Sequence, residues 1–133
     1  MDAFSGQDAP TAQQTLACVE EILRCGLEDW IQAAEVASVA ILVGGATTVA
    51  GIRKLSGETI RTVLREGLMT AGDVTHAGFC PWNISGEQAI ERIERDWTAL
   101  GRGPNLGEIC WLSNTPAGDA RAKSSSNTRT SPH

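Results

Sequence analysis

The stretch REGLMTAGDVTHAGFCPWN, residues 65–83, decides how this chain is read. A helical repeat of Ile60, Val63, Leu64 and Leu68 runs into it from the N-terminal side. Gly67 then weakens the last turn, because glycine gives up more conformational freedom on ordering than any other residue. Beyond it, 70–74 reads as an extended arm, and Gly72-Asp73 and Ala77-Gly78 supply turn chemistry. Phe79 and Trp82 offer apolar side chains that pin the segment to the body. Pro81 keeps Cys80 out of the helical region. The stretch is an exit from a helix into extended chain, with 70–74 as one arm and the residues after it in a loop.

Working upstream, Ser56 reads as the cap of that third helix over 56–68, with Leu55 packing on Ile60 as a hydrophobic staple. Glu58, Arg61, Thr62 and Arg65 share its outward face. The first helix starts between Asp8 and Thr11 and ends at Cys25 before Gly26; Leu16, Val19, Ile22 and Leu23 form its buried stripe, opposite Glu20, Glu21 and Arg24. The second starts at 28–30, with Asp29 as cap and Gln32 reaching back. Its continuation AAEVASVAILV is apolar on nearly every face, so it is either an enclosed helix or turns into a strand at 41–43.

Downstream, Ser85 and Gln88 form a capping box, Ile90, Ile93, Trp97 and Leu100 repeat at helical spacing, and Gly101 can end the helix in a left-handed conformation. Glu91 with Arg95 and Arg92 with Asp96 are surface pairs four apart. A turn over 101–105 leads to a short strand at 108–112. The fold class is mainly α (α+β): a compact bundle of about four helices with a small β-hairpin or wing. With 133 residues, 41% hydrophobic and 20% charged, one globular domain over 10–116 is expected, between a flexible N-terminus over 1–9 and a disordered C-terminal tail over 117–133.

Charge narrows the function classes. The net charge is −5, and the tail after Leu112 holds three of the eleven basic groups but one of the sixteen acidic ones, leaving eight against fifteen in the body. Such a body disfavours non-specific binding to nucleic acid. One window, 53–65, departs from this, with Arg53, Lys54, Arg61 and Arg65 against Glu58. Residues 1–35 hold seven acids against Arg24 alone, which points to a positively charged protein partner.

Chemistry for bond-making is sparse. Of two histidines one is the last residue, so His76 is the sole imidazole in the body; a dyad with Cys80 can be drawn, but no oxyanion-hole or nucleophile-elbow motif accompanies it. The four cysteines show no Cys-x-x-Cys, and no export signal precedes them, so reduced thiols in the cytoplasm are expected. VGGATTVAGIRK, residues 43–54, lacks the ending of a P-loop and the spacing of a dinucleotide turn. No catalytic residue, metal site or cofactor is assigned. The uncharged run 36–52 is diluted by glycine, threonine and alanine, and reads as buried core rather than a membrane span.

The succession of helix, short Trp-containing entry, Ala/Val-rich helix, helix with outward arginines, then Gly-Leu-Met and Gly-Asp resembles a winged helix-turn-helix domain over 16–118. The resemblance implies that 56–68 is the recognition helix, with Arg61, Thr62 and Arg65 contacting DNA. Trp111-Leu112 and Thr115-Pro116-Ala117-Gly118 resemble the returning wing strand and the turn after it. A connection over 41–55, longer than the family's tight turn, and a helix over 85–100 between the two wing strands depart from the family pattern.

Two functions follow as expectations. The first is a non-catalytic cytoplasmic interaction protein whose acidic body binds a basic protein partner, with Glu20, Glu21, Glu28 and Trp82 as candidate contacts. The second is a winged-helix DNA-binding regulator, as a homodimer, using Arg53, Lys54, Arg61, Thr62 and Arg65.

Overall fold

Thr11 opens the first helix, α1 (Ala12–Cys25): its Oγ1 accepts from the Gln14 N–H at 3.1 Å, while Gln14 Oε1 accepts from the Thr11 N–H at 2.9 Å. This reciprocal cap satisfies two of the amide groups that a helix start leaves without partners. The structure, a computed structural model, describes residues 9–129. Residues 1–8 of the expected flexible N-terminus over 1–9, and 130–133 at the end of the expected tail, lie outside the described residues. α1 buries Cys18, Val19, Ile22 and Leu23. Leu16, expected on that stripe, is 46% exposed.

The second helix starts later than the capping signal at Asp29 predicts. Asp29 Oδ1 accepts from the Trp30 N–H at 2.8 Å, but Ile31–Gln32 is extended as β1, paired with Leu112 and Trp111. Helix α2 (Ala33–Leu42) follows, and the Glu35 carboxylate accepts from the Gln32 N–H at 3.1 Å. Pairing with a strand eighty residues away wins over the local cap, and no local signal announces it. The ambiguity over 41–43 resolves to helix through Leu42, with the Val43 N–H donating to the Val39 carbonyl at 2.8 Å.

Ser56 is not a cap. Helix α3 (Val49–Arg65) begins at Thr48, whose Oγ1 accepts from the Gly51 N–H at 2.9 Å, and Ser56 sits buried in mid-helix. The connection from α2 is therefore 43–48 rather than 41–55. Leu55 extends the helix's inner side by packing with Cys18 and Ala40 in a small second core cluster. At the far end Gly67 (φ 70°) permits the left-handed turn: its N–H donates to Leu64 and the Leu68 N–H to Val63, at 3.3 and 2.9 Å. These two bonds, with buried Leu68, make a Schellman stop.

Strands β2 (Met69–Thr75) and β3 (Gly78–Pro81) then form a hairpin with His76-Ala77 as its two-residue loop. Gly72-Asp73 lies inside β2 rather than in a turn; a Cβ on Gly72 would fall 2.4 Å from the Cys80 carbonyl oxygen. Helix α4 (Gly86–Leu100) has its Ser85–Gln88 box and ends at Gly101 with φ 72°, as its sequence predicts. Arg92 reaches Asp96 at 3.9 Å, and Arg95 lies beside Asp96 at 3.6 Å. The last strand is β4 (Trp111–Asn114), three residues beyond the expected position. The four-stranded antiparallel sheet has the order β1-β4-β2-β3, so β4, not the hairpin arm, fills the gap between β1 and β2.

The expected disordered tail is corrected for 117–129, which belongs to helix α5 (Pro116–Arg129). Thr115 starts it: its Oγ1 accepts from the Gly118 N–H at 3.1 Å, with Pro116 at the first helical position. Residues 115–118 are thus a helix start and not the turn after a wing. Poverty in apolar side chains hid α5, because α5 docks through small residues. Ala122 is buried, and Gly118 lies so close to Leu68 that a Cβ would come within 3 Å of its carbonyl carbon.

The result is an α+β fold of five helices and one sheet among the described residues. Its main core joins Val19, Ile22 and Leu23 of α1, Ile60 and Val63 of α3, Ile90, Ile93 and Trp97 of α4, and Ala71 and Leu112 of the sheet. No described helix is long and apolar enough to cross a membrane. The uncharged run over 36–52 is broken at Gly45, which has φ 75°. Gly118→Ala is expected to destabilise by about 1–3 kcal/mol in urea unfolding through overpacking. Gly103→Ala, with nothing within 4 Å of the added carbon, should leave the midpoint unchanged.

Candidate interaction surfaces

The basic residues of α3 are the first candidates, and α4 lies alongside that helix. Arg61 donates through Nη1 to Glu58 at 2.7 Å and through Nη2 to the carboxylate of Glu94. Arg65 grips Glu87 with both Nε and Nη2, at 2.7 and 3.3 Å. That contact raises the guanidinium's pKa and lowers the carboxyl's, mainly through the hydrogen bond between them. Thr62 Oγ1 donates to its own helix, at the Glu58 carbonyl 2.8 Å away. Arg53 lies over the Trp97 ring, 4.9 Å from its centroid. Lys54 is exposed. The window that reads as locally basic is thus countered by Glu87 and Glu94, 22 and 33 positions away from the arginines they meet.

The acidic candidates separate in a different way. Glu21 pairs with Arg24 at 2.6 Å, Glu20 is half-buried, and Glu28 is exposed beyond the end of α1. Trp82 is in the core: its main-chain N–H donates to the Ala71 carbonyl at 3.1 Å, and the Arg92 guanidinium covers its ring at 3.7 Å. In this position it clamps the segment after β3 to the body.

Two grooves frame these residues. One, of about 570 Å³, runs between α1, α3 and α5; Leu16 and Val19 line it together with Glu58, Thr62 and Glu66. Arg121 of α5 approaches Glu66 at 3.8 Å. The other, of about 600 Å³, lies between α2, α3 and the end of α4, with Ile41, Ile52, Arg53 and Trp97 among its walls. Its margin is formed by 101–104, in a loop closed by a clasp that sequence reasoning missed. Arg102 donates twice to Glu108, at 2.8 and 3.0 Å, and the Asn105 N–H adds a third bond to that carboxylate at 2.7 Å. Opposite charges six apart around Gly103-Pro104 were the available signal.

His76 is exposed in the hairpin loop, and Cys80 Sγ contacts Thr75 Oγ1 at 3.6 Å and the Gly78 carbonyl at 3.7 Å. Among the described residues no group of three or more His, Cys, Asp or Glu side chains is arranged to hold a metal ion. All four cysteines are free thiols. Burial pushes the thiol pKa of Cys18 up, and that of Cys110 up to about 12. Comparison of the chain with protein-family models, with curated proteins and with solved structures finds no match.

Two outcomes follow from this geometry. Mass mapping after brief iodoacetamide treatment should find Cys80 modified in the native protein, and Cys18 and Cys110 only after unfolding. Glu108, held by Arg102 and the Asn105 amide, has a carboxyl pKa depressed from 4.5 to about 2. A depressed folded pKa means that the clasp contributes fully above the ordinary carboxyl range and is lost as pH falls through about 2. The protection of the Asn105 amide, its exchange rate relative to that of an unstructured amide at the same pH, should therefore hold at pH 5 and fall towards pH 2, and Glu108→Gln should remove that dependence.

Proposed function

We propose that this chain is a non-catalytic interaction protein on a winged-helix-like core, and that its acidic body receives a basic, amphipathic segment of a protein partner. The likeness is supported by the order α1, β1, α2, α3 and hairpin, with β1 drawn into the sheet. A cytoplasmic setting belongs to the same proposal and is supported by the four free thiols.

The observation that carries the reading is Leu16. It continues the α1 stripe, whose other members Val19, Ile22 and Leu23 are at most 1% exposed, yet 46% of it is open on the floor of the α1–α3–α5 groove. Burying a leucine fully is worth about 1.5–3 kcal/mol, so a substantial part of that gain is left for a partner. Glu58 and Glu66 rim the same groove against the one cation Arg121 in its lining, and Glu20 follows Leu16 by one helical turn, so carboxylates outnumber the cation there. An apolar floor with an acidic rim fits an apolar anchor flanked by lysine or arginine, and the charge of the body steers it.

The DNA-binding reading is favoured by the same element order and by the arginines of α3. It would require Arg61 and Arg65 to leave Glu58, Glu94 and Glu87. Both readings are tested with one pair of titrations. A fluorescein-labelled helical peptide of Leu and Lys at heptad spacing is expected to bind more weakly as salt rises. It should lose about tenfold or more in affinity with Leu16→Asp, a change of about 1.4 kcal/mol or more. Peptide binding indifferent to Leu16→Asp would sink the protein-partner reading. Duplex DNA bound in a salt-dependent way and released by Arg61→Ala with Arg65→Ala would install the alternative.

A further inference from the structure

The groove between α2, α3 and α4 has a different chemistry. Ala37 and Ile41 of α2, Val49 and Ile52 of α3 and Trp97 of α4 give it apolar walls, and Arg53 is set among them. Every other arginine of α3 and of the neighbouring loop meets a carboxylate: Arg61 meets Glu58 and Glu94, Arg65 meets Glu87, and Arg102 meets Glu108. Among the described residues Arg53 makes no such pair. Its one hydrogen bond is a long one, from Nη2 to the Glu94 main-chain carbonyl at 3.4 Å, while the Glu94 carboxylate is committed to Arg61. Partial burial lowers the pKa of this guanidinium, and the Glu94 carboxylate, beyond ion-pair distance, offsets only part of that effect.

We propose that this groove binds a small amphipathic monocarboxylate, with the carboxylate paired to Arg53 and the apolar body laid against Ile41, Val49, Ile52 and Trp97. A guanidinium presents a planar fork that matches a carboxylate, and the pair gains strength where water is partly excluded. Arg53, the groove cation without a direct ion pair among the described residues, selects one negative charge; Arg102, at the margin, is already neutralised by Glu108. A volume of about 600 Å³ falls within the range of small-molecule sites. Val49 and Ile41, 83% and 45% exposed, are the aliphatic surface that an apolar tail would cover. This groove is separate from the one around Leu16, so either proposal can fail without the other.

The test uses the full chain and decanoate below its micellar concentration, with 1-decanol and decylamine as equal-length controls. Amide and Trp97 indole shifts are followed by two-dimensional NMR. Decanoate should produce saturable shifts at Val49, Ile52 and Trp97, with affinity at least about tenfold above decanol and decylamine. Arg53→Gln should remove that preference, and Arg53→Lys should keep part of it. Because Arg53→Gln also removes a contact with Trp97, Val49→Asp at the exposed groove edge provides a second variant. It should weaken decanoate at least about tenfold without moving the unfolding midpoint. Equal binding of decanoate and decanol, decanoate affinity unchanged in a folded Arg53→Gln or Val49→Asp protein, or shifts with an acidic amphipathic peptide but not with decanoate would each overturn the proposal.

Discussion

The carbonyl groups of Gly67 and Leu68, at the exit of α3, are where the chain's separate pieces are tied together. Gly67 accepts from Thr115 Oγ1 at 2.6 Å, and Leu68 accepts from the Thr115 N–H at 3.0 Å. Gly118 packs directly on Leu68. One short stop signal therefore fixes four things: the end of α3, the start of β2, the position of β4 beside it, and the angle at which α5 leaves the sheet. Asn114 extends the knot to α1 by donating to the Leu23 carbonyl at 2.9 Å. Left-handed backbone at Gly67 is the condition for all of this, since a side chain there would strain the turn.

The second constraint is electrostatic and acts between α3 and α4. Two arginines that would otherwise project as a basic strip are drawn to carboxylates of the neighbouring helix. Individually such half-exposed pairs are worth at most about 1 kcal/mol, so they do not hold the fold. Their consequence is functional: they cancel the field that phosphate contacts would need. Arg53 escapes direct pairing because the Glu94 carboxylate is committed to Arg61, which leaves Arg53 a hydrogen bond to the Glu94 backbone carbonyl.

Where local consistency fails, the molecule is most informative. Leu16 obeys helical spacing and is left half open; Ile41, Leu42 and Val43 belong to a helix expected to be enclosed and are exposed instead, Leu42 to 82%. A domain that buries Ile22, Leu23 and Leu112 completely has no shortage of core, so these residues are not failures of packing. Leu16 and Ile41 line the two grooves, where exposed apolar surface marks a place for a ligand or partner.

Short-range information settled much of the architecture. The Ser85–Gln88 box, the stop at Gly101, the ends of α1 and the extended arm after Gly67 are legible because each depends on residues within about four positions, where side chains and backbone amides meet by geometry alone; the return strand Gly78–Pro81, expected as a loop, is not. The class of fold follows from these pieces. What tertiary structure decided depends on partners far apart in the chain. Extended Ile31–Gln32 needs Trp111 and Leu112, and the fate of Arg61 and Arg65 needs Glu94 and Glu87. Helix α5 needs a glycine-sized gap at Leu68. The charge of a residue is written in the sequence; whether another charge pairs with it is decided by the neighbours that folding supplies, and for Arg53 folding supplies no direct ion pair among the described residues.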